Sequence, residues 1–158
     1  MRVAVGSDHA GFDLKEILKT ELVALGHDVA DIGTDDGATS VDYPDFGAAV
    51  GRAVAGDDAD LGLCVCATGN GIAMAANKVP SVRAAVIHDV TTATLARQHN
   101  HANVVCFGAR VTGATVAVDA LAAFLAAATE HGRHDRRIEK LTALDQGRTE
   151  PIRMQGTP

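Results

Sequence analysis

The chain has 158 residues, a length that fits one domain with a hydrophobic core of its own. The net charge is −6 and no apolar stretch approaches the roughly 18 residues that a membrane span needs, so we expect neither nucleic acid nor a membrane as a partner. Hydrophobic residues make up 47% of the chain but aromatic residues only 3%, which predicts a core of small side chains.

The first residues and the cysteines indicate a compartment. Met1-Arg2-Val3-Ala4-Val5 leads directly into a predicted strand, so we expect no signal peptide. The cysteines are odd in number and lie in apolar runs, at Cys64, Cys66 and Cys106. Free thiols in a cytoplasmic protein are therefore expected.

Apolar runs alternate with helical patterns along the chain. Strands are predicted at 2–6, 27–32, 61–66, 83–88 and 103–107, and helices at 11–25, 44–55, 71–77, 91–99 and 112–128. Near-continuous apolar strands separated by helices are typical of a parallel sheet that is covered on both faces. The predicted fold is thus three-layer α/β/α with five parallel strands.

The segment after the last α/β unit is different. Residues 130–137 are rich in histidine and arginine and lead into a short amphipathic helix with Ile138, Leu141 and Leu144 on its apolar face. No strand follows it, so we expect this helix to dock on a partner subunit. We assign residues 1–145 to a single domain and 146–158, which are polar with Gly and Pro, to a flexible tail.

Polar residues follow several of the predicted strands. Ser7-Asp8-His9, Cys66-Ala67-Thr68, His88-Asp89 and Gly108-Ala109-Arg110 each stand at the end of one. In parallel sheets ligands bind beyond the carboxyl ends of the strands, so a site is expected there.

The segment Cys66-Ala67-Thr68-Gly69-Asn70-Gly71 is the strongest candidate for chemistry. It places a thiol at a strand end beside glycine amides and a helix N-terminus, which stabilise a thiolate or an oxyanion. The alternatives are a structural buried thiol and a tight glycine turn. We assign Cys64 and Cys106 to the core. A Cys-x-Cys metal site is disfavoured because no further ligands have the expected spacing, so no metal is predicted.

The remaining candidates each have a structural alternative. Asp8 can cap a helix and His99 can favour a helix dipole. Arg110, Arg133, His134 and Arg137 can form a cationic pocket for phosphate, or a solvated charged face. We expect the other histidines without a partner in the sequence, His27, His101 and His131, at the surface.

Taken together, several segments in order resemble one family. They are 6–12, 42–45, 66–72, 75–78, 96–100, 107–110 and 132–134, within about residues 2 to 145. The sequence resembles ribose-5-phosphate isomerase of type B, in the group that also holds galactose-6-phosphate and allose-6-phosphate isomerases. The resemblance implies a Rossmann-like homodimer or tetramer with shared active sites and no metal or cofactor.

The resemblance also implies roles for single residues. Cys66 is the implied base that moves a proton between C1 and C2 of the sugar, Thr68 assists it, and His99 opens the furanose ring. The amides of Gly69, Asn70 and Gly71 hold the enediolate. The sugar is lined by Asp8, His9, Tyr43 and Asn100, and the phosphate is bound by Arg110, Arg133, His134 and Arg137, some of them from the partner subunit.

Two positions depart from the family pattern. Ala67 stands where the family often has glycine, and Ile72 stands where one branch carries a glutamate base. The chain is thus similar to the cysteine branch. Three alternatives stay open: another aldose phosphate as substrate, a non-catalytic phosphate-binding α/β module, and a thiol-redox protein, the last disfavoured because the sequence has no Cys-x-x-Cys.

Overall fold

The computed structural model describes residues 1–148. These residues form one five-stranded sheet, six α-helices and a 3₁₀ turn, His9–Gly11. The strands are β1 Arg2–Ser7, β2 Asp28–Asp31, β3 Leu61–Cys66, β4 Ala84–Val86 and β5 Val104–Gly108. The helices are α1 Phe12–Ala24, α2 Tyr43–Ala55, α3 Asn70–Ala76, α4 Val90–Asn100, α5 Ala114–Ala126 and α6 Asp135–Asp145.

The sheet is parallel throughout, with the strand order β2-β1-β3-β5-β4. The chain moves from β1 outward to β2 and then returns to place β3 on the other side of β1. The crevice between the ends of β1 and β3 is therefore a topological switch point, where such sheets bind ligands. This confirms the predicted three-layer α/β/α fold.

Two apolar layers cover the sheet because successive side chains of a strand point to opposite faces. On one face Val3, Leu63 and Val105 pack against α1, α4 and α5. On the other face the thiols of Cys64 and Cys66 pack with α2 and α3. All three cysteines are on this second face and are free, as expected.

Element bounds differ from the predicted ones by a few residues, each for a local reason. The edge strand β4 is shorter than 83–88 because the amide of Arg83 donates to the side chain of Asn103 and Asp89 already caps α4. Helix α5 begins at Ala114 rather than at residue 112 because Gly113, in an extended conformation, is its N-cap. The start of the predicted helix 11–25 falls in the 3₁₀ turn, which Asp8 caps.

Helix α6 follows the last α/β unit and none of its residues is buried. Leu141 and Leu144, on the apolar face identified from the sequence, are 43% and 58% exposed. Of the predicted tail, Gln146–Arg148 is exposed, and residues 149–158 lie outside the described part of the chain. Within residues 1–148 no helix has both the length and the hydropathy that crossing a membrane requires.

Candidate active site

The loop between β3 and α3 holds the Cys66 thiol against a backbone amide. Cys66 is the last residue of β3 and is 4% exposed. The amide of Gly69 donates a hydrogen bond to its Sγ at 3.2 Å. Gly69 has a φ of +80°, a left-handed conformation that favours glycine, and it forms the N-cap of α3. The loop geometry therefore aims an N–H group at the sulfur.

The other two cysteines have no such environment. Cys64 and Cys106 are fully buried in the sheet. The hydrogen bond from Cys64 and the loss of solvent raise the pKa of Cys106 well above its usual range. Cys106 therefore stays a neutral thiol, as expected for a core cysteine.

The amides that were predicted to hold an oxyanion are partly engaged within the loop. The amide of Asn70 donates to Thr68 Oγ1 at 3.4 Å, and that of Gly69 donates to the thiol. The amides of Gly71 and Ile72 belong to the first turn of α3, which leaves them without an intrahelical acceptor. The amide of Gly71, which is only half-buried, is thus the N–H group of this loop that remains open to a ligand, since Ile72 is fully buried.

Other predicted residues surround the same loop. The register places Ser7 opposite Val65, so Asp8 lies beside Cys66 at the end of the neighbouring strand. Tyr43 packs on the loop so closely that a Cβ on Gly71 would lie 2.7 Å from its ring. The amide of Arg110 donates to the carbonyl of Ala67 at 2.9 Å.

The side chains of Asp8 and His9 also hold the local backbone through hydrogen bonds. The Oδ1 of Asp8 accepts a hydrogen bond from the amide of Gly11 at 2.9 Å, which is the capping role considered from the sequence. The Nδ1 of His9 accepts one from the amide of Val41 at 3.2 Å and so ties the long loop before α2 to the site. Because Nδ1 accepts, the proton of neutral His9 is on Nε2.

We call Asp8, His9, Tyr43, Cys66–Gly71 and Arg110 the carboxyl-edge group, since all lie where the strands end. Within this group the structure brings a thiol, a hydroxyl, a carboxylate, an imidazole and amides together. His88 and Asp89 also follow a strand, but that strand, β4, is the outermost one of the sheet. Asp89 forms a capping box with Thr92, and His88 is exposed.

The predicted residues His99, Asn100, Arg133, His134 and Arg137 form a second group, which we call the amino-edge group. The rings of His99 and His134 are stacked, with centroids 4.4 Å apart and planes inclined by 9°. Arg133 Nε donates to His134 Nε2 at 3.2 Å. Burial, together with nearby His99 and Arg133, lowers the pKa of His134.

The two groups lie at opposite edges of the sheet. Helix α4 leaves the carboxyl end of β4 and runs back for 11 residues, so His99 and Asn100 at its end are near the strand beginnings. The hydrogen bond from the amide of Gly62, near the start of β3, to the carbonyl of Asn103 fixes that position. Cys66 is at the other end of β3, about 13–16 Å away along the strand at roughly 3.3 Å per residue. One chain therefore does not bring His99 to Cys66.

Asn100 contributes to a cleft at the amino edge. The cleft has a volume of about 390 Å³ and opens between α6 and the start of β4, with Arg83, Leu141 and Asp145 also in its walls. Cys66 is not among its lining residues. It is therefore a groove beside the amino-edge group and not the crevice at the switch point.

Glu130 was not identified from the sequence as a site residue. Its Oε2 lies 3.6 Å from His99 Nε2 and 3.7 Å from His134 Nε2. Its carbonyl contacts His101 Nε2 at 2.6 Å, so His101 has a structural partner that the sequence did not suggest. The four-residue spacing of Glu130 and His134 was the only sequence pattern that could have suggested a contact between them. Of the other two histidines, His27 is half-buried and His131 is exposed beside Asp135.

Comparison with known proteins identifies the family. The family model described as Ribose/Galactose Isomerase matches residues 3–141. Ribose-5-phosphate isomerase B of Escherichia coli (strain K12) is 44% identical over 93% of this chain and 98% of its own. The chain therefore belongs to the ribose/galactose isomerase family.

Solved structures agree in fold and length. Ribose-5-phosphate isomerase B of Clostridium thermocellum has a TM-score of 0.91 and 41% identity, over 93% of this chain and 99% of that one. The enzyme of Mycoplasma genitalium, solved with bound ribulose-5-phosphate, has a TM-score of 0.87 and 40% identity, over 92% and 96% of the two chains. The family is thus one of aldose–ketose isomerases.

Proposed function

We propose that this protein is a ribose-5-phosphate isomerase, which interconverts D-ribose 5-phosphate and D-ribulose 5-phosphate through a cis-enediolate. The observation that carries the proposal is the loop in which the Gly69 amide faces the Cys66 thiol, in a chain 44% identical to a ribose-5-phosphate isomerase B along nearly all of both chains. The cytoplasm is the proposed compartment, because all three thiols are free.

The carboxyl-edge group supplies the proton transfer. The Cys66 thiolate takes the proton from C2 of the open aldose and returns it to C1, the hydroxyl proton passes from O2 to O1, and negative charge develops on the enediolate oxygens in between. The amides of the β3–α3 loop and the hydroxyl of Thr68 stabilise that charge. Asp8, His9 and Tyr43 line the sugar from the neighbouring elements.

The amino-edge group supplies ring opening and phosphate binding. The imidazole of His99 gives a proton to the furanose ring oxygen and takes one from the anomeric hydroxyl, with Asn100 beside the sugar. Arg133, His134 and Arg137 bind the phosphate from this group, and Arg110 binds it from the other edge.

Two chains are needed to join these halves. A two-fold dimer carries the amino-edge group of one chain to the carboxyl-edge group of its partner, and by symmetry it completes two sites. The exposed apolar face of α6, a helix that contains Arg137 and begins two residues after Arg133, supports a subunit contact there.

Isomerisation is tested with ribose 5-phosphate in deuterated water. The purified protein should form ribulose 5-phosphate that carries solvent deuterium at C1, and treatment with EDTA should leave the rate unchanged. The Cys66→Ala protein, prepared identically, is the control for contaminating isomerase. No conversion by wild-type protein, or equal conversion by both proteins, contradicts the proposal.

The second candidate is the same reaction on another aldose phosphate, favoured by a family description that includes galactose isomerases. Sugar choice depends on pocket shape, where one group changes binding by only about 1–3 kcal/mol. Values of kcat/KM for ribose 5-phosphate, allose 6-phosphate, galactose 6-phosphate and erythrose 4-phosphate separate the two. Ribose 5-phosphate should give the highest value. A higher value for another sugar assigns the enzyme to it, and ligand binding without turnover of any sugar indicates a non-catalytic module.

A further inference from the structure

The carboxylate of Glu130 lies beside the two stacked imidazoles of the amino-edge group. Its Oε2 is 3.6 Å from His99 Nε2 and 3.7 Å from His134 Nε2. We propose that Glu130 is a positioning residue for ring opening, whose carboxylate orients the His99 imidazole and favours a proton on His99 Nε2. The part that concerns ring opening rests on the proposed function, whereas the effect on the proton does not.

The backbone of Glu130 is fixed to residues on both sides of His99 in α4. The Glu130 amide donates to the carbonyl of Gln98 at 2.9 Å, and its own carbonyl accepts from His101 Nε2 at 2.6 Å. The Glu130 side chain therefore starts from a fixed point next to the His99 ring. Less conformational entropy is lost when the carboxylate pairs with that ring than if the whole segment had to be ordered.

Arg133 leaves the carboxylate to His99 rather than to His134. Arg133 Nε donates to His134 Nε2 at 3.2 Å, so this nitrogen is an acceptor and has no proton to offer Glu130. Burial, followed by the charges of His99 and Arg133, lowers the pKa of His134, so its ring is uncharged at neutral pH. Of the two imidazoles, His99 is thus the one that can hold a proton toward Glu130.

The cations near His99 oppose a further positive charge on its ring. Arg133 contacts the stacked His134, and Arg137 stands four residues beyond Arg133. Their charges disfavour a proton on His99, and the Glu130 carboxylate offsets them. The other titratable groups of this region are His101, His131 and Asp135, and in the proposed dimer the carboxyl-edge group of the other chain adds Asp8, His9, Tyr43, Cys66 and Arg110. One carboxylate among the cations thus allows a phosphate site to contain a proton donor as well.

The contact between Glu130 and His99 has the length expected of a ligand-free site. At 3.6 Å it is slightly longer than a hydrogen bond, and catalytic hydrogen bonds often tighten only when substrate is bound. The side chains of His99 and Glu130 are 33% and 50% exposed, so a sugar can reach the ring. The His99 proton then passes to the ring oxygen as its bond to C1 breaks. His99 recovers a proton from the anomeric hydroxyl, which becomes the aldehyde oxygen.

The proton on His99 is followed by NMR of the imidazole nitrogens of the full-length protein, with the His99 signals assigned by their absence in His99→Asn. Wild-type His99 should keep its proton to a higher pH than His99 in Glu130→Gln, because the carboxylate favours the charged ring. Glu139→Gln, at an exposed position of α6, is the matched control and should titrate as wild type does. An unchanged His99 titration in folded Glu130→Gln would overturn the proposal.

Two rates separate ring opening from proton transfer at carbon. Turnover of ribose 5-phosphate needs the ring opened, whereas exchange of solvent deuterium into C1 of ribulose 5-phosphate does not. Glu130→Gln should lower the first rate about two- to fivefold, as one half-exposed charge pair allows, and should leave the second unchanged. The loss should shrink as the pH falls, because the solvent then supplies the proton that the carboxylate no longer favours. Glu130→Asp, which keeps the charge, should lie closer to wild type.

Equal losses in both rates, or a loss that is the same at every pH, would show that Glu130 does not act through ring opening. Unchanged turnover of ribose 5-phosphate in a variant whose His99 titration has moved would also remove that role. If the wild-type protein shows neither rate, the proposed function fails, while the titration still reports on Glu130 and His99.

Discussion

At the scale of single residues, the hydrogen bond between the Gly69 amide and the Cys66 sulfur distinguishes one cysteine from its two neighbours. Cys64 and Cys106 lie on the same face of the sheet but contact each other and apolar side chains. Only a strand end can present a side chain to both a loop amide and a ligand. Reactivity should therefore follow position along the strand.

Cys66→Ala should lower kcat by at least about 100-fold, the low end of what general acid–base catalysis contributes. The reason is that Ile72 occupies the adjacent helix position and the nearby Asp8 carboxylate is held by the amide of Gly11, which it caps. Steady-state kinetics with ribose 5-phosphate measure the loss. Cys106→Ala is the control, and it should lower the unfolding midpoint but retain most of kcat. Near-normal kcat in folded Cys66→Ala would assign the base to another group.

Alkylation offers a second measurement on the same residue. Iodoacetamide should modify Cys66 before Cys64 or Cys106, and bound ribose 5-phosphate should slow that reaction, because the thiolate faces the sugar. Mass spectrometry of tryptic peptides identifies the modified cysteine. If Cys106 were modified before Cys66, the predicted order of cysteine reactivity would be wrong.

His99→Asn should affect the two directions of the reaction differently. Ribose 5-phosphate is mostly a furanose and needs its ring opened, whereas ribulose 5-phosphate cannot form that ring. We therefore expect a much larger loss of kcat with ribose 5-phosphate, with open-chain aldose released in the reverse direction. Initial rates at saturation in both directions provide the comparison. His88→Asn, at an exposed histidine that belongs to neither group, is the control and should change neither. Equal losses for His99→Asn would remove the ring-opening role.

At the scale of secondary-structure elements, continuous apolar runs were sufficient to predict the buried central strands. β3 is buried along its whole length and its predicted bounds, 61–66, agree with the structure. The edge strand β4 was predicted too long because hydrogen bonds from loop side chains replace sheet pairing at its start. Such side-chain bonds depend on the tertiary fold, and local periodicity does not contain them.

Lys15 is a buried charged residue that the apolar periodicity of α1 did not predict. It is 2% exposed although it lies in a helix with an apolar face, and its Nζ donates to Asp31 and to the carbonyl of Thr34, both at 2.8 Å. It thereby ties α1 to the end of β2 and to the loop beyond. Although burial opposes ionisation, the lysines around Asp31 keep its pKa below the ordinary value.

Lys15→Met should destabilise the fold by about 1–3 kcal/mol, less than for a fully buried pair because Asp31 keeps some solvent and Lys19. Since the pKa of Asp31 is lower in the folded state, its contribution is present above the unfolded value near 3.9 and is lost as pH falls through the folded value. The free energy of unfolding of Lys15→Met should therefore fall less than that of the wild type when the pH is lowered. Urea unfolding at neutral pH and at about pH 3 measures both effects. Lys78→Met, at an exposed position, is the control, and equal stability of all three proteins would contradict the account.

At the scale of the whole molecule, the candidate site is divided between the two edges of the sheet. The sequence predicted the carboxyl-edge group well because most of it lies within six consecutive residues or directly after a strand. It also named the members of the amino-edge group and predicted sites shared between subunits, but it did not show that His99 and Cys66 of one chain lie at opposite edges of the sheet. The direction of α4 alone separates them, since a helix that follows a parallel strand ends at the opposite edge. Glu130 escaped notice because only folding brings it to His99.

The central claim, that each site combines two chains, is tested by mixing inactive subunits. Cys66→Ala and Arg137→Ala change opposite edges, so a mixed dimer has one site with both native residues and one with neither. Refolding an equal mixture should restore roughly a quarter of the wild-type activity, given random pairing in a symmetric dimer. Cys66→Ala mixed with Arg110→Ala changes the same edge twice and should restore none. No recovery in the first mixture, with mixed dimers shown to form, would contradict the shared site.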